Sequence, residues 1–200
     1  MPEPPVLPDV RDRARRSRFE AVYNAHFGAV WAYLRRRVAI AADADDVAAQ
    51  TWIAIWRRVD DLPVDRELAW CYGTARRCLA NHRRGEQRRL RLAHTVARER
   101  VDDAVRATDP RPEDPRAARL RAALATLRPA DQELLRLFAW EQLTTAEIAV
   151  VLDLGTNAVA IRAHRARRRL AAALGEPAAG AAKDLDRPGH STGTAPEGAR

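Results

Sequence analysis

The sequence predicts an all-α protein: two small helical domains joined by a flexible linker, the C-terminal one a helix-turn-helix. Three observations carry this. Apolar residues recur at three- and four-residue spacings along most of the chain, and no stretch keeps the strict alternation of a half-buried strand. Residues 101–116 break that rhythm, with Pro110, Pro112 and Pro115 set among acids and arginines, the composition of a tether. Residues 143–170 then carry a helix start, a short turn and a second helix start in close succession.

Residues 1–11 include four prolines among the first ten and no periodicity, so they are expected to be disordered. The first helix is expected over 12–38, where Phe19, Val22, Tyr23, His26, Phe27, Val30, Leu34 and Val38 form one broad apolar stripe. A second helix is expected from a cap near Asp43 to about Val59. Ala48, Trp52, Ile55, Trp56 and Val59 fall on its inner side. On the other side Asp46, Gln50, Ile53 and Arg57 follow at spacings of four, three and four, which leaves Ile53 exposed among polar groups. The run Asp60–Asp65 ends this helix. A third helix over 66–84, continuing past Gly85 into a basic run to Arg100, turns Leu68, Cys71, Ala75, Cys78, Leu79 and His82 inward. That stripe makes His82 a core histidine with its hydrogen bonds satisfied. Arg76, Arg77, Arg83 and Arg84 face outward, with Gly73 and Ala80 as small residues between them that let a phosphate backbone come close. Residues 12–100 thus form the first domain.

The second domain spans 117–174, with helices near 117–126, 130–140, 144–153 and 156–174, and Pro129 suits the first turn of its helix. Thr144 with Glu147 three residues later is a capping box ahead of Ile148, Ala149 and Leu152. Asp153-Leu154-Gly155 breaks the period, with Gly155 expected to supply a positive φ and Thr156 to cap the next helix. That helix buries Val159, Ala163, Ala166 and Leu170. Its opposite face carries Asn157, Ile161, His164 and Arg168, flanked by Ala160 and Arg165 and led by Thr156. From 154 to 175 there is no acidic residue, while five arginines fall within positions 162–169. A helix of this kind is suited to the major groove, where Asn reads adenine, Arg reads guanine and an apolar side chain meets the thymine methyl. Beyond Gly175 the Gly-, Pro- and Ala-rich tail to residue 200 has no packing pattern and is expected to be disordered.

The formal charge of +8 rests on 34 arginines and a single lysine, Lys183, so clustering says more than the total. Seven arginines lie between positions 76 and 91 against one acid, Glu86, a patch that attracts nucleic acid in a salt-sensitive way. No segment approaches the ~20 apolar residues that span a bilayer, and residues 1–10 lack the apolar core of a signal peptide. Membrane insertion is therefore not expected, and the cytoplasm is the expected location. Cys71 and Cys78, seven apart on one helix, suit buried small side chains better than a disulfide framework or zinc site, and no cofactor or metal is expected.

Two motifs at this separation resemble the sigma-70 family of RNA polymerase initiation factors, in particular its two-domain extracytoplasmic-function (ECF) group. The run Asp43-Ala44-Asp45-Asp46-Val47-Ala48-Ala49-Gln50-Thr51-Trp52, continuing to Ile55-Trp56-Arg57-Arg58, is similar to the helix by which that family grips the polymerase clamp. Trp70 to Arg77 and Ala80 to Arg84 resemble the adjoining helix that faces the −10 promoter element, and the helix-turn-helix ending at Leu170 resembles the −35 reader. The resemblance implies polymerase contacts at Asp46, Gln50, Ile53 and Arg57. It implies −10 contacts at Asp61, Arg76, Arg77, Arg83 and Arg84, the loop from Asp60 to Glu67 taking a base flipped from the melted non-template strand. Trp70 and Tyr72 are the aromatics near enough to stack on that strand or simply to pack. The −35 contacts it implies are Thr156, Asn157, Ala160, Ile161, His164, Arg165 and Arg168. Core polymerase, double-stranded promoter DNA, the melted strand and an anti-sigma factor are the implied partners. The chain departs from the family at Ala49-Gln50, where Gln-Glu is usual, and at Asp153-Leu154-Gly155, where Gly-Val-Ser is common. Two other functions are less consistent with the residues. A free-standing regulator has no use for the stripe at Asp46–Arg57, and a nuclease would need a carboxylate or histidine cluster that the spacing does not supply; Asp43, Asp45 and Asp46 are explained by the helix dipole.

Overall fold

A computed structural model describes residues 10–96 and 114–175. Residues 1–9, the tail from 176, most of the tether and the last four residues of the run to Arg100 lie outside the described residues; Val10 and Arg11, expected to be disordered, are already helical. Seven α-helices follow in order: α1 (Val10–Arg35), α2 (Ala41–Arg57), α3 (Glu67–Val96), α4 (Pro115–Ala125), α5 (Pro129–Ala139), α6 (Thr145–Leu152) and α7 (Thr156–Leu174), with a 3₁₀ turn at Val59–Asp61 between α2 and α3. No strand occurs among the described residues.

Helices α1, α2 and α3 pack on one another around Val22, Val30, Leu34, Val47, Ile55, Cys71 and Ala75, all fully or nearly buried. Three of them come from the stripe predicted on α1. Phe19, Tyr23 and Phe27 of α1 surround Trp52 of α2, the Tyr23 and Trp52 ring centroids 4.8 Å apart. Trp56, expected in the core, is only half-buried; the guanidinium of Arg15 lies over its ring at 5.0 Å. Burial, and then the nearby Glu67 carboxylate, push the Cys71 thiol up to about 12. Helix α2 begins earlier than predicted: Ile40 stands at its N-cap without a side-chain bond, and Asp43 sits in the first turn, where a carboxylate meets the positive end of the helix dipole. Helix α3 passes through Gly85 unbroken.

In the second domain, Asp114 caps α4 by accepting from the Arg116 N–H, and Pro115 and Pro129 occupy first-turn positions where a missing N–H is harmless. The capping box forms as predicted. The Thr144 hydroxyl accepts from the Glu147 N–H, and the Glu147 carboxylate accepts from the Thr144 N–H. The turn after it differs from expectation. Asp153, not Gly155, takes the left-handed conformation, with φ 55°, while Gly155 at φ −70° is the N-cap of α7 and Thr156 is already helical. Asp tolerates this region because its short polar side chain bonds locally. On α7 Val159, Ala163 and Ala166 are buried as the spacing predicts.

The two helical units are docked, an arrangement the sequence does not announce. Helix α6 lies across α3, and Leu134, Leu137, Leu143, Ile148, Val151 and Val159 join the first domain's apolar residues in one continuous core. Gly73, expected to make room for a phosphate, is buried beneath α6 instead. A Cβ there would stand 3.6 Å from Val150 O, Val151 Cα and Val151 O, ordinary contact distance, so the two helix backbones lie close enough that a methyl group would just touch the α6 backbone. Tyr72 is buried as well, its ring centroid 5.0 Å from that of Tyr33.

A polar clasp closes the contact. Arg37, just past the end of α1, has a side chain only 1% exposed. Its Nε pairs with Glu133 of α5 at 3.0 Å and its Nη1 with Glu141 at 2.9 Å, the latter carboxylate also 1% exposed. The guanidinium lies 3.6 Å from the centroid of the Tyr33 ring, and the Tyr33 hydroxyl donates to Glu133 at 2.9 Å. Arg36 adds a second cation to Glu141, and Arg83 of α3 donates to the Arg37 carbonyl. Burial works against the charge on Arg37, but Tyr33 and the Glu133 carboxylate outweigh it and raise its pKa. Burial, and then Glu133, raise that of the Tyr33 phenol, which stays a donor.

Candidate nucleic-acid interface

Helix α7 is amphipathic in the way its spacing predicts, and what it leaves outward is chemically selective. Thr156, Asn157, Ala160, Ile161, His164, Arg165 and Arg168 are all exposed, Ile161 at 45%. The remaining arginines of α7 divide by role. Arg167 lies over the Phe138 ring at 4.8 Å and Arg169 pairs with Asp131, so both serve the fold. Arg162, Arg165 and Arg168 have no intramolecular partner among the described residues. One helix face thus offers an amide, an isoleucine, an imidazole and unpaired guanidinium groups together, with no acid on the helix to compete for them.

A second cationic face runs along α3. Arg76, Arg77, Arg83 and Arg84 are exposed. Three of them are oriented by neighbours: Arg77 donates to the Thr74 hydroxyl, Arg84 to the Asn81 side chain and Arg83 to the Arg37 carbonyl. Asp61 lies exposed at the preceding turn, 3.1 Å from Arg58. Trp70 is half-buried with the Arg58 guanidinium 5.5 Å from its ring centroid, whereas the buried Tyr72 packs and offers no ring face for a base. An open cleft separates Arg58, Arg66 and Trp70 from Asp153, Gly155 and Thr156 of the second domain, so α6 and the turn after it overhang this face.

The third surface is on α2, where Asp46, Gln50, Ile53 and Arg57 are exposed as their spacing predicts, Ile53 at 52%. Docking leaves all four free. On the far side of the second domain, Leu120, Leu124, Leu135, Phe138, Trp140 and Leu174 line an apolar groove, with Trp140 exposed at its rim. Periodicity did not mark this groove, because its walls come from three separate helices, α4, α5 and α7. Among the described residues no helix is long and apolar enough to cross a membrane.

Comparison with known proteins matches residues 22–89 to the family described as Sigma-70 region 2 and residues 117–170 to Sigma-70, region 4. The RNA polymerase sigma factor CnrH of Cupriavidus metallidurans is 32% identical over 140 residues, which cover 66% of this chain and 73% of that protein. The fold is similar to CnrH solved in complex with the cytosolic domain of CnrY, with a TM-score of 0.53 at 26% identity over 78% of this chain and 87% of the other. It is also similar to the sigma factor RpoE in complex with the anti-sigma factor NepR from Bartonella quintana, with a TM-score of 0.58 at 18% identity, covering 78% of this chain and 96% of that one.

Proposed function

The chain belongs to the sigma-70 family of RNA polymerase sigma factors, in the two-domain form of its ECF group, and from that premise we propose how its surfaces divide the work of initiation. In this reading residues 12–100 grip core polymerase through Asp46, Gln50, Ile53 and Arg57, and hold the −10 element with Asp61, Arg76, Arg77, Arg83 and Arg84. Residues 117–174 read the −35 element through Thr156, Asn157, Ala160, Ile161, His164, Arg165 and Arg168. The observation that carries the proposal is the outward face of α7, with its unpaired arginines beside Asn157 and Ile161. The chain makes and breaks no bonds; the polymerase does the chemistry, in the cytoplasm where the template lies. Two weak DNA contacts borne by one body act together once the polymerase fixes their spacing.

Transcription from a randomised promoter library with purified core polymerase tests this. Start sites should be enriched for two separated elements, and absence of start-site selection overturns the reading. Arg165→Ala is expected to weaken upstream-element binding by about 1–3 kcal/mol and to relax preference at one base pair. A uniform loss over all sequences, measured by competition with mutated −35 elements, would instead limit Arg165 to phosphate.

The docked form bears on the same reading. Helix α6 covers Gly73 on α3 while Arg76, Arg77, Arg83 and Arg84 stay exposed beside it, so parting the domains would enlarge a −10 face that is already open in part. CnrH was solved with a partner's cytosolic domain. For this chain an anti-sigma factor is the partner we infer, with the apolar groove beside Trp140 as a surface for it to cover.

A further inference from the structure

One group of side chains outside the surfaces above is left with unmet bonding capacity. His82 and Glu86 stand one turn apart on α3, on the same helix face, and Asp43 approaches them from the first turn of α2. His82 Nε2 lies 3.7 Å from Asp43 Oδ1 and 3.7 Å from Glu86 Oε2. Both separations exceed hydrogen-bond length. The same nitrogen is shielded from solvent and has no hydrogen-bond partner. Sequence periodicity predicts a satisfied core histidine here; the ring edge is instead unsatisfied between two carboxylates. A buried polar atom left in this state is costly and calls for an occupant.

The donor set identifies the occupant's chemistry. One imidazole nitrogen and two carboxylate oxygens lie within 4.8 Å of one another, drawn from two helices. We propose that Asp43, His82 and Glu86 hold a divalent transition-metal ion, Zn²⁺ being the natural match, with water completing the coordination. Zn²⁺ bonds of about 2.0–2.2 Å place neighbouring tetrahedral donors roughly 3.3 Å apart. The two 3.7 Å separations from the ring nitrogen therefore need to contract by a few tenths of an ångström, and the two carboxylate oxygens, within 4.8 Å of each other, by at most about 1.5 Å. Asp43 at 24% and Glu86 at 46% side-chain exposure have the freedom to do so, while the ring, at 14%, is held. The arginines that follow His82 in sequence are engaged elsewhere, Arg83 with the Arg37 carbonyl and Arg84 with Asn81. The ion pins the first turn of α2 to the second half of α3. If the division of surfaces proposed above holds, it fixes the angle between the helix bearing Ile53 and the helix bearing the −10 arginines. Binding itself does not depend on that division.

The test uses the full chain, stripped with a chelator and titrated with ZnCl₂ by isothermal calorimetry alongside thermal melting. One equivalent is expected to bind, and the melting temperature should rise with Zn²⁺ concentration. His82→Ala and, separately, Glu86→Gln are each expected to weaken binding at least ~10-fold, the exposed Glu86 being the site where substitution least endangers folding. His164→Ala and Cys78→Ala should leave binding unchanged. No stoichiometric binding, or binding that survives both site variants, overturns the site. Failure of transcription with intact Zn²⁺ binding would count against the functional reading and leave the site standing.

Discussion

Replacing Arg37 with Ala is expected to part the two domains. The side chain is the common partner of two carboxylates from the second domain, and Glu141 is as thoroughly buried as Arg37 itself. Removing one member of a buried ion cluster strands the others, which costs about 3–5 kcal/mol, more than the pair contributes relative to an apolar replacement. Arg36 remains as a partner for Glu141, but Glu133 loses the cation it is paired with. The chain's cheapest response is to separate the domains and return both acids to water, keeping each domain's helices intact. Small-angle scattering should therefore show a larger radius of gyration, with unchanged helical circular dichroism and stronger binding of single-stranded −10 DNA by the exposed α3. An unaltered scattering profile would mean that the apolar contact of α6 with α3 holds the domains without the clasp. Arg37→Lys should fall between, because a single ammonium cannot reproduce the guanidinium's two directed pairs.

Ile53→Asp is expected to abolish capture of core polymerase while leaving the fold unchanged. Ile53 is half-exposed on α2 and joins no apolar cluster among the described residues, and Asp46, Gln50 and Arg57 accompany it along one face. An apolar anchor inside a polar rim is the common architecture of an interaction hot spot, where truncation costs 2 kcal/mol or more. A carboxylate adds the penalty of a buried charge. Capture on immobilised core polymerase should therefore fall by at least ~30-fold. At an exposed helix position the same change alters stability by only about 0.5 kcal/mol. Unchanged capture would remove this face from the polymerase contact.

The sequence makes local features legible and leaves meeting points hidden. The capping box of Thr144 and Glu147, the first-turn Pro129 and the buried Val159, Ala163 and Ala166 of α7 involve residues within a few positions of each other and appear as predicted, whereas Pro115, read as part of the tether, opens α4 and Leu170 is only half-buried. The face of Asp46, Gln50, Ile53 and Arg57 is legible for the same reason, since one helix carries it entirely. Arg37 meets Glu133 and Glu141 across separations of 96 and 104 residues, and no helical period reports on such a pairing. Gly73 illustrates a second limit. A small residue on a helix announces that something comes close, without telling whether it is phosphate or another backbone. Asp153 is a third: two residues in the turn tolerate a left-handed backbone, and the choice between them is made by how α6 and α7 pack.

The close approach at Gly73 also sets a quantity. If only separated molecules engage the −10 strand, apparent affinity equals intrinsic affinity scaled by the fraction of molecules that are open. Each additional ~1.4 kcal/mol favouring closure lowers that fraction about tenfold. A methyl group at position 73 would meet the α6 backbone at ordinary contact distance, whereas any bulkier group would wedge the helices apart. One residue buried beneath α6 thereby tunes how large a share of the population stands ready, and hence the promoter's threshold for response.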